Sequence, residues 1–189
     1  MKKAKVISAF PACGKTTYYK MWSQYSPENV WRKDKNGEQA YREDGSIIGE
    51  KIIDSDSSDF SWTFDEAGNR IRHPHFPQNY IDHIKRKMKT EDVIFVSSHD
   101  VVRKALEENG IEYHIFYPRK DQKEEWIKRF KERGNDEKFI EFISSNWDDF
   151  IDDIENETFP TKHVLHGGGI NTEGINSTTM MRVMDYQEG

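Results

Sequence analysis

The chain has 189 residues, a length that suits one packed domain and excludes two ordinary domains joined by a linker. Its net charge of −6 and isoelectric point near 5.7 argue against a protein that coats nucleic acid through a general basic field. The single cysteine, Cys13, excludes an internal disulfide framework, and no apolar run approaches the roughly 20 residues that span a bilayer. Because the N-terminus lacks a signal-peptide pattern, we expect a cytoplasmic protein without a membrane partner.

Apolar runs, helical periodicity and turn residues predict an alternation of strands and helices. In chain order they give a strand at 4–10, a helix at 15–24, a polar surface excursion at 27–50, a strand at 51–53, a helix at 78–89, a strand at 93–96 that we expect to be central, a helix at 101–110, a strand at 112–118, helices at 121–134 and 137–156, and a fifth strand at 161–168. Residues 169–189 are rich in glycine, asparagine, threonine and serine, which is typical of a weakly ordered tail.

This alternation indicates βαβ units and therefore an α/β fold with a central, mostly parallel sheet of about five strands within residues 1–168. Ligands of such folds bind where the carboxyl ends of the strands meet. We therefore expect the chemically informative motifs to converge at that edge of the sheet.

The segment SAFPACGKTT ends in Gly14-Lys15-Thr16, the end of the phosphate-binding motif G-x-x-x-x-G-K-[ST], with Ala9 at the place of the first glycine. Backbone N–H groups and the start of the following helix would hold phosphates, Lys15 would bridge the β- and γ-phosphates, and the Thr16 hydroxyl would bind Mg²⁺. The alternative is an ordinary strand–turn–helix with an accidental match. The candidate ATP-binding residues are Pro11, Ala12, Cys13, Gly14, Lys15, Thr16 and Thr17.

Cys13 lies beside a lysine at the start of a predicted helix. Such surroundings can lower the pKa of a thiol, whereas the alternative is a small loop residue without chemistry. We favour the second interpretation.

Several segments together resemble the small P-loop nucleotide kinase-like proteins of bacteriophages and of bacteria that carry them: ISAFPACGKTT, IIDSDSSDFSW, HFPQNYIDHI, VIFVSSHDVVRKAL and KEEWIKRFKERGNDEKFI. More remotely, they are similar to nucleoside monophosphate kinases and polynucleotide kinases. The resemblance covers residues 4 to 155, with Ala9 and the polar excursion as departures. It implies a P-loop NTPase-type three-layer sandwich, ATP and Mg²⁺ as cofactors, and a helical lid at 119–135.

Two aspartates follow the second predicted strand, where the similar kinases carry a carboxylate that orients or deprotonates the acceptor. Asp54 and Asp56 alternate along an extended chain, so their side chains should point to the same side. We expect Asp56 to act as the base and Asp54 as a water-mediated Mg²⁺ ligand and acceptor contact. The alternative is a turn in which these side chains cap the backbone.

The strand at 93–96 ends in Ser97, Ser98 and His99, where many P-loop enzymes have a metal-binding aspartate. Hydroxyl and imidazole groups can bind a phosphate or the acceptor, but they are poor substitutes for a carboxylate on Mg²⁺. Arg103, one turn into the next helix, could contact the phosphate of the acceptor or form a surface salt bridge.

Arg129 and Arg133 are four residues apart and should share one face of a helix, with Trp126 and Phe130 on another. The resemblance to kinase lids makes these arginines, with Arg119, candidates for stabilising charge in the transition state. The alternative is a solvated helix in which Arg129 pairs with a glutamate one turn earlier.

Other features favour structural roles. The aromatic rings of Trp31, Phe60 and Trp62 could stack on a base, although packing is the commoner role of such rings. The histidine pairs at 73–75 and 163–166 lack cysteine partners for a metal. Residues 85–89 form a basic run that favours a solvent-facing helix over a nucleic-acid contact.

Taken together, the motifs predict an ATP- and Mg²⁺-dependent kinase whose acceptor is a nucleotide or nucleoside, first of all a (deoxy)nucleoside monophosphate. One alternative is a kinase for a 5′-hydroxyl or modified base of DNA or RNA. Another is an ATP-binding regulator with negligible catalysis. Nucleic acid is thus a possible partner that the charge does not favour, and the sequence leaves the oligomeric state open.

Overall fold

The computed structural model describes residues 4–26 and 49–165, together with residues 36, 38 and 41. Most of the excursion predicted at 27–50, including Trp31, and the whole tail predicted at 169–189 lie outside the described residues.

Within the described residues the chain forms seven strands and seven α-helices. They are β1 (Lys5–Ala9), α1 (Lys15–Trp22), β2 (Ile52–Asp54), α2 (Ser58–Ser61), β3 (Trp62–Phe64), β4 (Arg70–Arg72), α3 (Gln78–Lys87), β5 (Val93–Val96), α4 (Asp100–Glu108), β6 (His114–Pro118), α5 (Lys123–Glu132), α6 (Glu137–Ser145), α7 (Trp147–Asn156) and β7 (Thr161–Leu165). A 3-10 turn at Lys120–Gln122 precedes α5.

Five strands form one sheet in the order β2-β5-β1-β6-β7, and every pair in it is parallel. The predicted α/β fold with a five-stranded parallel sheet is confirmed, and the helices that connect the strands are consistent with a three-layer sandwich. The expectation that the strand at 93–96 is central was wrong by one place. That strand, β5, is buried throughout, but β1 occupies the middle, since burial on both faces does not rank one inner strand above another.

The strands β3 and β4 form a separate antiparallel hairpin that the sequence analysis did not assign. Its turn is held by Asp65, whose Oδ1 accepts hydrogen bonds from the backbone N–H groups of Ala67 and Asn69 at 3.0 and 2.8 Å. Gly68 has a φ of 81°, which favours glycine. The signal was present in the alternation of Trp62 and Phe64 before a glycine turn.

The helix predicted at 137–156 is two helices, α6 and α7, which meet at Asn146. The Asn146 side chain donates a hydrogen bond to the Phe142 carbonyl at 2.8 Å and so ends α6. The break lets Trp147 turn into the core, where its Nε1 donates to the Lys120 carbonyl at 2.8 Å and its ring lies 5.4 Å from that of Phe10. Burial of this indole outweighs continuation of the helix.

In the part of the chain that the structure describes, no helix combines the length and the apolar character needed to cross a lipid bilayer.

Candidate functional site

The loops that follow β1, β2 and β5 meet around a cavity of about 560 Å³ at the carboxyl edge of the sheet. In the strand order of the sheet, the connection after β1 runs toward the edge formed by β2, and the connection after β6 runs toward the opposite edge, formed by β7. Parallel sheets bind ligands at such a reversal of direction. Thirteen of the predicted site residues line the cavity: Pro11, Ala12, Cys13, Gly14, Lys15, Thr16, Thr17, Asp54, Asp56, Ser97, Ser98, His99 and Arg133.

The β1–α1 loop ends at Gly14, whose φ of 95° is in the left-handed region that favours glycine. Gly14 is the N-cap of α1 and provides no side chain to cap the first amides. The first hydrogen bond of the helix runs from Tyr18 N–H to the Gly14 carbonyl at 2.9 Å. The N–H groups of the first turn therefore have no acceptor within the helix, and an anion in the cavity would supply one.

Alanine is tolerated at position 9, where the motif has glycine, because the backbone φ there is not positive. It lies within β1, 1% exposed and in register with Phe116. The left-handed conformation occurs three residues later, at Ala12, with a φ of 62°. An L-residue in this region costs roughly 1–2 kcal/mol, so other contacts must hold the loop in shape.

Helix α5 supplies those contacts from the side of the loop. Trp126 Nε1 donates a hydrogen bond to the Pro11 carbonyl at 3.0 Å, and Arg129 Nη1 donates to the Ala12 carbonyl at 3.4 Å. Trp126 is completely buried. The conformation of the phosphate loop is therefore tied to a helix more than a hundred residues away in the sequence.

Lys15 reaches from the start of α1 toward the end of β5, where its Nζ lies 3.4 Å from the Val96 carbonyl. The side chain is half-buried and lines the cavity, whereas Thr16 is exposed to it. An ammonium group in this position adds positive charge to the amides of the loop, which favours a polyanion.

Burial raises the pKa of Cys13 to about 12, although the neighbouring charges of Arg129, Lys15 and Arg133 act in the opposite direction. Its Sγ donates toward the Phe116 carbonyl at 3.7 Å. The side chain is 1% exposed, so the thiol is a buried structural group. The interpretation favoured from the sequence, a small loop residue without chemistry, is consistent with this, because desolvation outweighs the lowering effect of Lys15 on the pKa.

Asp54 and Asp56 both line the cavity, as their alternation predicted. Partial burial raises the pKa of Asp54; the charge of Lys15 lowers it, and that of Asp56 raises it further. Asp56 Oδ1 accepts a hydrogen bond from the Ser58 N–H at 2.9 Å, which is the capping turn considered as an alternative. The turn and a functional role are compatible, since a carboxylate has a second oxygen available to the cavity.

A hydrogen-bond network centred on Tyr80 joins the loops that follow β2 and β5. Its hydroxyl donates to the Ser55 carbonyl at 2.7 Å and accepts from the Ser97 N–H at 3.4 Å. Ser97 Oγ accepts from the Ser57 N–H at 3.2 Å, and Ser8 Oγ donates to the Ser97 carbonyl at 3.4 Å. Helical spacing marked Tyr80 only as a core position, so no pattern in the sequence indicated this role.

His99 lies at the edge of the cavity, where burial lowers its pKa against the opposing effects of Asp56 and Asp100. The imidazole is therefore mainly neutral at pH 7 and can donate and accept one hydrogen bond each.

The two predicted lid arginines occupy different environments. Arg133 is exposed and lines the cavity. Arg129 is 5% exposed, pairs with Glu125 at 2.5 Å, and stacks on Trp126 with its Cζ 3.9 Å from the ring centroid. Arg129, Trp126 and Phe130 therefore share the buried side of α5, which differs from the two separate faces expected. Arg129 contacts the phosphate loop through Ala12 and does not line the cavity.

Arg103 is 4% exposed and serves as a bridge between α4 and α7. Its Nε donates to Glu157 at 2.7 Å, and its Nη atoms bond the Ser98 carbonyl and the Asp153 carboxylate. With its nitrogens used in this way, Arg103 does not reach the cavity. The salt bridge considered as an alternative therefore describes Arg103 better than acceptor binding does. The bridge differs from the expected surface salt bridge because the arginine is buried.

Arg119 follows β6 at the carboxyl edge of the sheet but lies outside the cavity lining. Its guanidinium pairs with Asp121, two residues along the chain. The side chain is 52% exposed, so the structure does not bring it together with the other predicted site residues.

Among the described residues, no group of three or more His, Cys, Asp or Glu side chains is arranged to hold a metal ion. Mg²⁺ is usually held by one or two carboxylates, water and substrate phosphates, so it does not require such a group. The Thr16 hydroxyl and the Asp54 carboxylate line the same cavity and provide oxygen ligands of the right kind.

Comparisons with known proteins add no family assignment. Neither a scan against protein-family models nor a search of curated proteins gave a match to this chain. The chemistry of the cavity therefore carries the functional conclusion.

Proposed function

We propose that the protein is a P-loop-type phosphotransferase that moves the γ-phosphoryl group of ATP to a nucleotide or nucleoside. The observation that carries the proposal is that an uncapped helix start with Lys15 and a pair of carboxylates, Asp54 and Asp56, line one cavity. The amides bind phosphates, and the carboxylates stand where an acceptor would be deprotonated.

A second cavity of about 750 Å³ adjoins the first and shares Thr16, Lys20 and Asp54 with it. Two substrates could therefore bind side by side with Asp54 between them. A (deoxy)nucleoside monophosphate is the acceptor that we place beside ATP, with its reacting oxygen near Asp54 and Asp56 in the first cavity, because its size suits cavities of several hundred cubic ångströms.

The proposed transfer requires little covalent chemistry from the protein. An acceptor oxygen forms a bond to the γ-phosphorus while the bond between that phosphorus and the β–γ bridging oxygen breaks, so that ADP leaves with the electron pair. Asp56 orients the acceptor and takes its proton when the acceptor is a hydroxyl. Lys15 and Arg133 stabilise the charge on the phosphoryl oxygens.

Mg²⁺ would be held by the Thr16 hydroxyl and, through water, by Asp54, where it would neutralise phosphate charge. Arg129 acts indirectly in this proposal. By bonding the Ala12 carbonyl it keeps the phosphate loop in the conformation that presents its amides.

Substitution of Lys15 by alanine tests the site. We expect ATP affinity to fall at least 10-fold, because a charge-assisted hydrogen bond contributes about 1.5–3 kcal/mol, and we expect transfer to be lost. Titration calorimetry would measure binding, and labelled ATP with Mg²⁺ and a panel of mononucleotides, nucleosides and oligonucleotides would measure transfer. Lys128→Ala, which removes a lysine on α5 whose side chain is 76% exposed and lies outside both cavity linings, is the matched control.

An unchanged ATP affinity in Lys15→Ala would contradict the proposed site. ATP binding without transfer to any acceptor in the panel would contradict phosphotransfer and favour the ATP-binding regulator. A melting temperature close to that of the unaltered protein would show that the substitution acts locally.

A further inference from the structure

The β3–β4 hairpin presents a face of aromatic and arginine side chains to solvent. The register pairs Trp62 with Arg72 and Phe64 with Arg70. Because side chains alternate along a strand and directly opposed residues point the same way, all four share one face. Trp62 is 42% exposed and Phe64 is 70% exposed, so the rings are accessible to a ligand.

The two arginines of this face lie over aromatic rings. The Cζ atoms of Arg70 and Arg72 lie 4.6 and 5.3 Å from the centroid of the Trp62 ring, and that of Arg72 lies 4.4 Å from the Phe76 ring. Neither guanidinium forms an ion pair within the part of the chain that the structure describes. The face itself therefore carries two positive charges, while two carboxylates, Asp65 and Glu66, lie in the turn at its end.

The hairpin follows Asp56 closely along the chain and is joined to the end of α2. It follows the short helix α2, which begins two residues after Asp56, and the His73 N–H bonds the Ser61 carbonyl at 2.9 Å. Burial is the main cause of the lowered pKa of His99, and the charge of Arg72 contributes to it. Arg72 thus lies within electrostatic reach of a residue that lines the cavity.

We infer that this hairpin face, formed by Trp62, Phe64, Arg70 and Arg72, binds single-stranded nucleic acid. Nucleobases of any sequence stack on exposed aromatic rings, and guanidinium groups bind the phosphates between them. The bases of a duplex are already stacked on each other, so the free rings favour a single strand. A symmetric contact with a second copy of the chain would bring four arginines together, which disfavours that occupant.

Strand binding stands independently of phosphotransfer. A role for the bound strand as the acceptor rests on the function proposed above, because the strand would then enter the cavity beside Asp56. The two statements are tested separately by measuring oligonucleotide binding without ATP and transfer with it.

The experiment measures binding of fluorescent single-stranded DNA and RNA oligonucleotides to the full chain by anisotropy over a range of salt concentrations. We expect Trp62→Ala and Phe64→Ala to weaken binding by about 5- to 150-fold each, the range for loss of one stacked base. We expect Arg70→Ala and Arg72→Ala each to reduce the slope of log affinity against log salt by about 0.7, the value for one phosphate contact.

Trp62→Phe, which keeps a stacking ring, should restore most of the affinity lost in Trp62→Ala. Phe142→Ala removes an exposed aromatic side chain on α6 that is 56% exposed, and Arg86→Ala removes an exposed arginine from the basic run on α3. Both controls should bind like the unaltered protein. Circular dichroism and melting temperature would establish that each variant is folded.

Binding that is lost in the hairpin variants and kept in the controls supports the inference, and the DNA and RNA arms identify the kind of strand. Loss of binding in Arg86→Ala alone would overturn it and assign the contact to the basic run. The absence of oligonucleotide binding, or a dimer in sedimentation that dissociates in Trp62→Ala, would also overturn it. Transfer to mononucleotides without strand binding would overturn the inference and leave the proposed function intact. Strand binding without any transfer would support the inference and contradict the proposed function.

Discussion

Ala9 at the end of β1 and Ala12 in the following loop belong to the same motif, but their backbones place opposite demands on the side chain. Ala9 is an extended strand residue with a buried Cβ, whereas Ala12 has a φ of 62°. Relative to alanine, glycine stabilises the folded chain most where φ is positive and destabilises it most within a strand. The motif therefore predicts the benefit of glycine at the wrong one of these two positions.

We expect Ala9→Gly to lower the free energy of unfolding by about 1 kcal/mol without improving ATP affinity. We expect Ala12→Gly to be neutral or to raise stability by up to about 1 kcal/mol, because relief of the left-handed conformation exceeds the added entropy of the unfolded chain. Urea unfolding of the two variants would measure the difference. If Ala9→Gly proved the more stable variant, the conformation assigned to the loop would be contradicted.

Asp56 has one carboxylate oxygen in a backbone turn and the other available to the cavity, so structure and chemistry can be separated at this residue. Asp56→Asn keeps an oxygen for the Ser58 N–H but removes the base. We expect turnover to fall by about 10²- to 10⁴-fold with a much smaller change in ATP affinity. Steady-state kinetics and calorimetry would test this, and equal turnover would place the base elsewhere.

At the scale of elements, the site depends on how neighbouring loops are held together. Tyr80 of α3 bonds the Ser55 carbonyl in the loop after β2 and the Ser97 N–H in the loop after β5. Burial raises the pKa of Tyr80 to about 12, so the hydroxyl remains a donor throughout the neutral range. The position of Asp54 and Asp56 relative to Ser97 and Ser98 therefore rests partly on one buried hydroxyl.

We expect Tyr80→Phe to lower stability by about 1–3 kcal/mol, since it leaves a buried carbonyl without its donor, and to reduce turnover. Tyr113→Phe is the control, because Tyr113 donates to Glu157 at 3.0 Å outside the cavity lining. It should lower stability but leave turnover unchanged. Thermal unfolding and transfer assays on both variants would separate the two effects, and a normal turnover in Tyr80→Phe would contradict the positioning role.

The difference between local patterns and long-range contacts explains how much of the fold and of the candidate site the sequence could predict. Strands such as β5 were predictable because a run of four buried apolar residues identifies them locally. The turn between β1 and α1 was predictable because its Pro/Gly segment is contiguous in the sequence. The end of α6 at Asn146 depends on Trp147 reaching a distant carbonyl. The burial of Arg129 depends on the packing of α5 against the β1–α1 loop, and neither contact leaves a periodic signal in the sequence.

At the scale of the whole molecule, several histidines make stability depend on pH. Burial, with a further effect from His114, lowers the pKa of His163 to about 4, and the two rings share a hydrogen bond of 2.9 Å between Nδ1 of His114 and Nε2 of His163. Burial also lowers the pKa values of His114, His99 and His83. The unfolded chain therefore binds more protons than the folded chain between pH 6.5 and 4. The free energy of unfolding consequently decreases as the pH is lowered through that window.

We expect stability to be full above about pH 7 and to fall by about 1–2 kcal/mol as the pH approaches 4 through His163, less than its full pKa shift would give because solvent screens the half-exposed ring. The raised pKa of Asp54 acts in the opposite direction, so protonation of this carboxyl offsets part of the loss at the acid end of the range. His163→Gln removes the titrating group but can still hydrogen-bond His114, so its melting temperature should depend less steeply on pH. His75→Gln, at an exposed histidine, is the control. Equal slopes for both variants between pH 7 and 4 would show that the half-buried pair of His114 and His163 does not control acid stability.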